Sequence, residues 1–295
     1  MLKASELIQN ADGSIYHLNL CPDDIVPRII FVGDQARVDK VADHFDQVRT
    51  RVQKREFSTV TGSFQGNEYT VISTGIGTDN VDIVLNELDA LFNIDWETKT
   101  VKADFTQLHI LRFGTCGGLR ADVPVGSMVL SNFAIGGDGL LGYYHIPGHE
   151  SVQERVDAWQ AKHVRNLPRL FGVGAGASFI QTARDHFPNI HHGGTFTAAG
   201  FYAPQGRNLG RAKLTVPNLP EKLASFDCCD LPIVNLEMET AGILGLGHAL
   251  GHEMGSLSVI LANRAQGTFA ENPAEEEARL IETGLSLFHK TLQNA

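Results

Sequence analysis

The sequence predicts an α/β fold built on a central mixed β-sheet flanked by helices. Two patterns carry that expectation. Short apolar runs with strand character alternate with stretches whose apolar residues recur at helical spacing. Glycines with an arginine or an acid close by stand where several of those strands end, and such strand ends are where open α/β sheets bind ligands. No internal repeat, low-complexity run or Pro/Ser-rich linker divides the 295 residues, so one domain over 1–295 is expected.

Residues 28–33 read as a short buried strand, and 34–45 as a helix with Val38, Val41, Ala42 and Phe45 on one face. The stretches 56–64 and 67–73 alternate and meet at Gln65-Gly66, a hairpin pattern. In 79–92, Val81, Val84, Leu85, Leu88 and Leu91 form a helix face. The polar stretch 95–106 is a surface excursion, and 107–113 and 127–135 are strands. Residues 152–163 are helical, while the Gly/Ala-rich 171–180 fits either state. A helix over 237–250 and a buried strand over 257–262 follow. The last helix is the clearest, with Asn272 as N-cap, Pro273 at its first position and an acid, Glu275, in its first turn. Leu280, Ile281, Leu285, Phe288 and Leu292 are its buried stripe.

Charge and cysteine content narrow the function classes. Lys and Arg number 24 against 34 Asp and Glu, a formal charge of −10, so neither nucleic acid nor an anionic membrane surface is an expected partner. An anionic ligand must then be held by locally gathered arginines. No stretch reaches the ~18 uninterrupted apolar residues of a membrane helix, and the N-terminal residues lack the apolar centre of a signal peptide. Cys21, Cys116, Cys228 and Cys229 show no framework spacing, which suits reduced thiols. The expectation is a soluble, cytoplasmic protein.

Four segments carry the chemistry. In Gly33-Asp34-Gln35-Ala36-Arg37 the glycine permits a tight strand-to-helix turn whose amides can hold an oxyanion, although Arg37 also suits a solvated helix face. In Arg112-Phe113-Gly114-Thr115-Cys116-Gly117-Gly118 an arginine sits inside an apolar strand, where a lone charge is costly. It is either paired with an acid or part of an anion site, with Gly114, Gly117 and Gly118 letting the backbone close in. Glu237-Met238-Glu239 places two acids where a strand runs into a helix, and residues two apart do not share a face. One can serve as a helix N-terminal charge and the other can accept bonds from paired sugar hydroxyls. Phe201 to Arg207 gathers an aromatic ring, the Gln205 amide and a guanidinium, which suit a polar heterocycle or an ordinary surface loop.

In type and order these segments resemble the nucleoside phosphorylases of the uridine phosphorylase branch, over nearly the whole chain. The most specific matches are Arg55-Glu56-Phe57, Ser73-Thr74-Gly75-Ile76-Gly77, Arg112-Phe113-Gly114-Thr115 and Glu237-Met238-Glu239. The resemblance implies a partly barrel-like sheet and a site shared between subunits of a homo-oligomer, dimer or hexamer. It implies that Gly33, Arg37, Arg112 and Thr115 bind phosphate, joined by Arg55 of a neighbouring subunit. Glu239 and Met238 are then ribose contacts, with His17 of the neighbour reaching the 5′-hydroxyl. Phe201, Gln205, Arg207 and Arg264 match the residues that read the base. The implied reaction is phosphorolysis of a pyrimidine nucleoside, with inorganic phosphate as co-substrate and no metal or organic cofactor.

Some features depart from that pattern. Gly75-Ile76-Gly77-Thr78-Asp79-Asn80 lacks a Gly-Pro-Ser continuation, which removes the expectation of an intersubunit monovalent cation. Thr197-Ala198-Ala199-Gly200 replaces a more polar stretch, and Cys116 stands where a threonine is usual. The Gly172-Val173-Gly174-Ala175-Gly176 run has its third glycine misplaced for a dinucleotide loop and reads as a close-packed helix start. His186, His191 and His192 lack a further ligand at metal spacing and read as a solvated loop. The rival readings are a purine nucleoside phosphorylase, a nucleosidase and a silent nucleoside-binding protein. Against them stand the absence of an acid in Leu261-Ala262-Asn263-Arg264 and the presence of Arg37, Arg112 and Glu239.

Overall fold

A computed structural model describes residues 2–228 and 230–294; Cys229, expected as a reduced thiol, lies outside them. The first half builds one side of a sheet. Strand β1 (Arg28–Val32) leads through Gly33-Asp34 into helix α1 (Gln35–Ala42). Strands β2 (Gln47–Lys54), β3 (Phe57–Phe64) and β4 (Asn67–Ser73) form an antiparallel meander. Its second turn is the expected Gln65-Gly66, where both residues have positive φ, 51° and 78°. Helix α2 (Thr78–Asn93) follows, then a two-stranded excursion of β5 (Ile94–Asp95) and β6 (Thr100–Val101).

The second half curls the sheet. Strands β7 (His109–Gly118) and β8 (Met128–Gly137) lead to α3 (Glu150–His163), β9 (Phe171–Gly174) and α4 (Ala177–His186). After β10 (His191–Ala198) and the short α5 (Leu219–Leu223) come β11 (Asp227–Cys228) and β12 (Leu231–Glu237). Helix α6 (Thr240–Ala249), β13 (Glu253–Asn263), β14 (Thr268–Phe269) and α7 (Pro273–Gln293) complete the chain.

β1 pairs in parallel with β4 and β7 along its two edges, and its Ile29–Val32 run is fully buried because Ile29 and Phe31 enter one core and Ile30 and Val32 the other. From β7 the order continues β13, β8, β10, β12, and β12 pairs back onto β7 at Asn235–Gly118 and Leu236–Gly117. Those five strands therefore close on themselves, which makes the mixed sheet partly barrel-like. Closure explains the glycines. β7 was expected to end at residue 113 before a glycine turn, yet it runs to Gly118. A Cβ at Gly118 would sit 3.1 Å from Ile260, and one at Gly117 3.3 Å from Leu236. The glycines thus serve close strand crossing, not a turn.

Other expectations also shift. Glu237 ends β12 and the helix starts at Thr240, three residues later than its spacing suggested. The ambiguous 171–180 splits into β9 and the start of α4, and Gly176 does sit against a helix start, where Glu253 accepts from the Ser178 amide at 2.9 Å. His191 and His192 begin β10 instead of lying in a loop, because β10 pairs with β8 from its first residue.

Helices cover both faces of the sheet. α2 and α6 pack on one core, and α1, α4 and α7 on another. Gly284 of α7 lies against Phe113 of β7, and a Cβ there would fall 2.5 Å from the Phe113 ring. Gly→Ala in a helix ordinarily stabilises by ~0.5–1 kcal/mol. Overpacking a fully buried ring costs ~1–3 kcal/mol, so the clash outweighs the propensity gain. Gly284→Ala should therefore lower the melting temperature by a few degrees in a thermal scan; a rise would show that Phe113 can give way.

Candidate active site

The β1–α1 turn, the β4–α2 turn, the end of β7 and the β12–α6 junction converge on a cavity of about 340 Å³. Gly33, Arg37, Arg112, Thr115, Met238, Glu239, Phe201, Gln205 and Arg207, all expected site residues, line it. A larger groove of about 570 Å³ lies between residues 125–128 and 186–191, and none of the expected residues reaches it. Among the described residues no three His, Cys, Asp or Glu side chains converge as metal ligands.

Arg112 is the centre. It is 4% exposed, and its Nη2 lies 2.7 Å from Glu239 Oε2 and 3.2 Å from Glu237 Oε2, while Nη1 donates to Ser258 Oγ at 3.2 Å. Of the two readings open for this arginine, pairing with an acid is met twice over, while the geometry leaves it lining the cavity as an anion site requires. Burial works against its charge, but the two carboxylates outweigh it and hold its pKa above the ordinary value. Gly114 makes room: a Cβ there would fall 1.6 Å from Arg112 Nη1.

The two acids separate as residues two apart must. Glu237 takes the amides of Glu239 and Thr240, both at 2.9 Å, and the Thr197 hydroxyl at 2.7 Å, so it satisfies the start of α6. Glu239 faces the cavity and accepts from the Gly77 amide at 2.8 Å. Gly75 and Gly77, with φ of 71° and 96°, shape the turn that presents that amide. Burial pushes the Glu239 carboxyl above its ordinary range; Arg112 opposes the shift and Glu237 adds to it.

At the β1–α1 turn, Asp34 caps the helix through the Ala36 amide at 3.0 Å. Arg37 is buried, not solvated, and donates to the Phe113 carbonyl at 3.3 Å and to Glu277 Oε2 at 3.2 Å. Its Nε has no protein partner, a donor suited to an oxyanion. Lys40 also reaches Glu277, at 2.7 Å. Despite burial, the two cations hold the Glu277 carboxyl below its ordinary range. Cys116 lines the wall as a neutral thiol, pushed up to about 12 by burial.

The far end is built from the loop after β10. Arg207 lies over the Phe201 ring, its guanidinium carbon 3.8 Å from the ring centre, and donates to the Phe201 carbonyl at 2.7 Å and to Gln205 Oε1. Gln205 is 2% exposed. Arg264 stands behind the loop and holds the Gln205 carbonyl at 3.2 Å. Burial and then the neighbouring Arg264 pull the Arg207 pKa below its ordinary value. Exposed Ile76 and Phe269 border the mouth.

His17 and Arg55 do not line the cavity. They gather on one ring: Tyr16 lies 4.7 Å from the His17 ring and 5.8 Å from the Arg55 guanidinium. His17 Nδ1 is 2.5 Å from Glu87. Several contacts escaped the sequence. Glu277 is 240 residues from Arg37, beyond any local pattern. Ser258 gave a signal in hindsight, as a hydroxyl inside the apolar strand β13.

The sequence pattern of the phosphorylase superfamily matches residues 27–292. The chain is 25% identical over 285 residues to a uridine phosphorylase of Thermococcus kodakarensis, covering 94% of this chain and 87% of that one. It is 26% identical over 261 residues to a guanosine phosphorylase of Halorubrum lacusprofundi, covering 88% of each. A solved nucleoside phosphorylase of Trypanosoma brucei, described as showing uridine phosphorylase activity, superposes with a TM-score of 0.88 at 30% identity, covering 98% of this chain and 100% of that one. With its pocket at the strand ends, the chain belongs to the phosphorylase superfamily and is an enzyme of the nucleoside phosphorylase kind, a pentosyltransferase.

Proposed function

We propose that the chain phosphorolyses a pyrimidine nucleoside, converting uridine and inorganic phosphate to uracil and ribose 1-phosphate. The observation that carries this is the arrangement of one cavity. One lining brings together buried Arg37 and Arg112, Glu239 beside Met238, and Gln205 with Arg207. In this reading phosphate sits at Arg37, Arg112, Thr115 and the Gly33 turn, and Glu239 accepts from the ribose hydroxyls over Met238. A phosphate oxygen forms a bond to C1′ as the C1′–N1 bond breaks, and the bonding pair leaves on the base. Positioning supplies part of the rate, since the arginines hold the nucleophile at C1′. Charge stabilisation supplies the rest, because donors aimed at the uracil carbonyls strengthen as the ring becomes anionic.

The reading calls on phosphate as co-substrate and on no metal or organic cofactor. It also calls on a second subunit, since His17 and Arg55 lie outside the cavity of their own chain. The free thiols of Cys21 and Cys116 suit work in the cytoplasm.

Base selection follows from the donors present. The Gln205 oxygen can accept from uracil N3–H while its amide and Arg207 donate to the flanking carbonyls. Likeness to a guanosine phosphorylase favours a second reading, a 6-oxopurine, whose N1–H and O6 present the same donor and acceptor on one side only. Adenine and cytosine offer an amino donor where Arg207 needs an acceptor. A buried unpaired polar group costs ~1–3 kcal/mol, so discrimination of about tenfold or more is expected. kcat/KM for uridine, cytidine, inosine, guanosine and adenosine decides it: uridine should lead, and a purine nucleoside as best substrate would overturn the pyrimidine reading.

A further inference from the structure

Glu237 lines the cavity without being one of the expected substrate contacts, and it is tied down more firmly than any other acid around it. Its side chain is buried, and Oε1 and Oε2 together take one hydroxyl, two backbone amides and a share of the Arg112 guanidinium. The Thr197 hydroxyl that binds it is itself fixed by the Ala241 amide at 2.8 Å. Glu239 is held less: one backbone amide and the same Arg112 nitrogen. Two carboxylates therefore share one Arg112 NH2 group, Glu237 anchored by the start of α6 and Glu239 held otherwise only by the Gly77 amide.

We infer that Glu237 is a positioning residue, a fixed counter-charge that keeps Arg112 seated so that Glu239 is free to exchange Arg112 for the hydroxyls of a ribose. This rests on the nucleoside reading of the pocket. Without that second acid, Arg112 has Glu239 as its only carboxylate partner, and turning Glu239 towards substrate would strand a buried cation. Charge counting makes the same point from the phosphate side. Arg37, Lys40 and Arg112 are matched by Glu277, Glu237 and Glu239, three cations against three carboxylates. Neutralising Glu237 leaves a surplus positive charge beside the anion end.

The substitution Glu237→Gln isolates that charge. The Gln oxygen can still take the Glu239 and Thr240 amides, and its NH2 can donate to the Thr197 hydroxyl, so the start of α6 remains satisfied. Two quantities should move in opposite directions. Preference for a riboside over its 2′-deoxyriboside in kcat/KM should fall at least about threefold, because Glu239 becomes locked on Arg112. Affinity for inorganic phosphate, titrated calorimetrically on the protein alone, should rise about threefold or more. Glu237→Asp keeps the charge and should return both towards wild type. A purely structural role predicts otherwise: both substrates weakened in parallel, a lower melting temperature, and an unchanged ribose preference. That outcome, or phosphate binding weakened in Glu237→Gln, overturns the inference. Failure of the pyrimidine reading is separable, because it shows as a wild-type enzyme that cleaves no pyrimidine nucleoside, whereas the phosphate titration needs no base.

Discussion

Arg112→Ala should abolish phosphorolysis, with a loss of about a thousandfold or more, and should also destabilise the fold. Activity falls because the guanidinium at the centre of the cavity is gone. Stability falls because Glu237 and Glu239, both buried, lose their shared cation. Removing one member of a buried ion pair costs ~3–5 kcal/mol, since the remaining charge is left uncompensated. The sign of the pH dependence follows. Burial already raises the Glu239 carboxyl, and Arg112 is the chief group opposing that shift. A carboxyl raised in the folded state contributes stability fully below its unfolded pKa and loses it as pH rises through the folded value. The deficit of Arg112→Ala against wild type should therefore be smallest in acid and grow above the ordinary carboxylate range, as melting temperatures across pH 5 to 8 will show. Arg112→Lys separates the two effects. It restores a cation between the acids, recovering stability, while a point charge cannot reproduce the fork to Ser258 and both carboxylates, so activity stays low. Near-normal turnover in either variant would remove Arg112 from the site.

Much of this site was readable because its signals are violations of local rules. An arginine within Leu111-Arg112-Phe113 breaks the pattern of a buried strand, and such breaks mark function or pairing. Arg112 turned out to be paired, with the two acids of Glu237-Met238-Glu239, so two separately flagged segments explain each other. Which acid does which was not readable. That depends on where β12 ends, and helix spacing alone placed the boundary at residue 237 instead of 240.

The strands that escaped did so for physical reasons. β2, Gln47–Lys54, carries Arg49, Arg51 and Lys54 on a largely exposed edge, so its sequence has no apolar run to find. β10, His191–Ala198, is buried through Gly193, Gly194 and two threonines, residues that read as a loop. A Cβ at Gly194 would fall 2.2 Å from the Phe133 ring, so the missing side chain is a packing requirement set by a distant strand. Barrel closure is likewise invisible locally, because it needs β7 and β12 to meet across more than a hundred residues. The loop over residues 201–207 was legible as a cluster of residue types, yet the placing of Arg207 over Phe201 and the support from Arg264 arise only from the fold.

Arg55→Ala and Arg112→Ala, each inactive alone, should regain activity when mixed. Arg55 sits at the tip between β2 and β3, exposed, with φ of 56° and its guanidinium over Tyr16. His17, the other residue assigned to a neighbour, lies against the same ring. The two therefore form one patch outside the lining of their own chain's cavity, as residues offered jointly to another subunit would. Beside the β1–α1 turn, Arg37, Lys40 and Arg112 are matched one for one by Glu277, Glu237 and Glu239, so a phosphate dianion bound there would gain from a guanidinium lent by a neighbour. In a two-fold arrangement each site takes Arg112 from one subunit and Arg55 from the other. A mixed pair then has one doubly defective site and one intact site. With equal amounts and free exchange, half of the pairs are mixed, so about a quarter of all sites, and of wild-type activity, should return. Exchange is checked independently by energy transfer between labelled subunits. If subunits exchange and activity stays at the level of the separate variants, Arg55 does not act in a neighbour's site. If Arg55→Ala alone keeps full activity, it does not act in any.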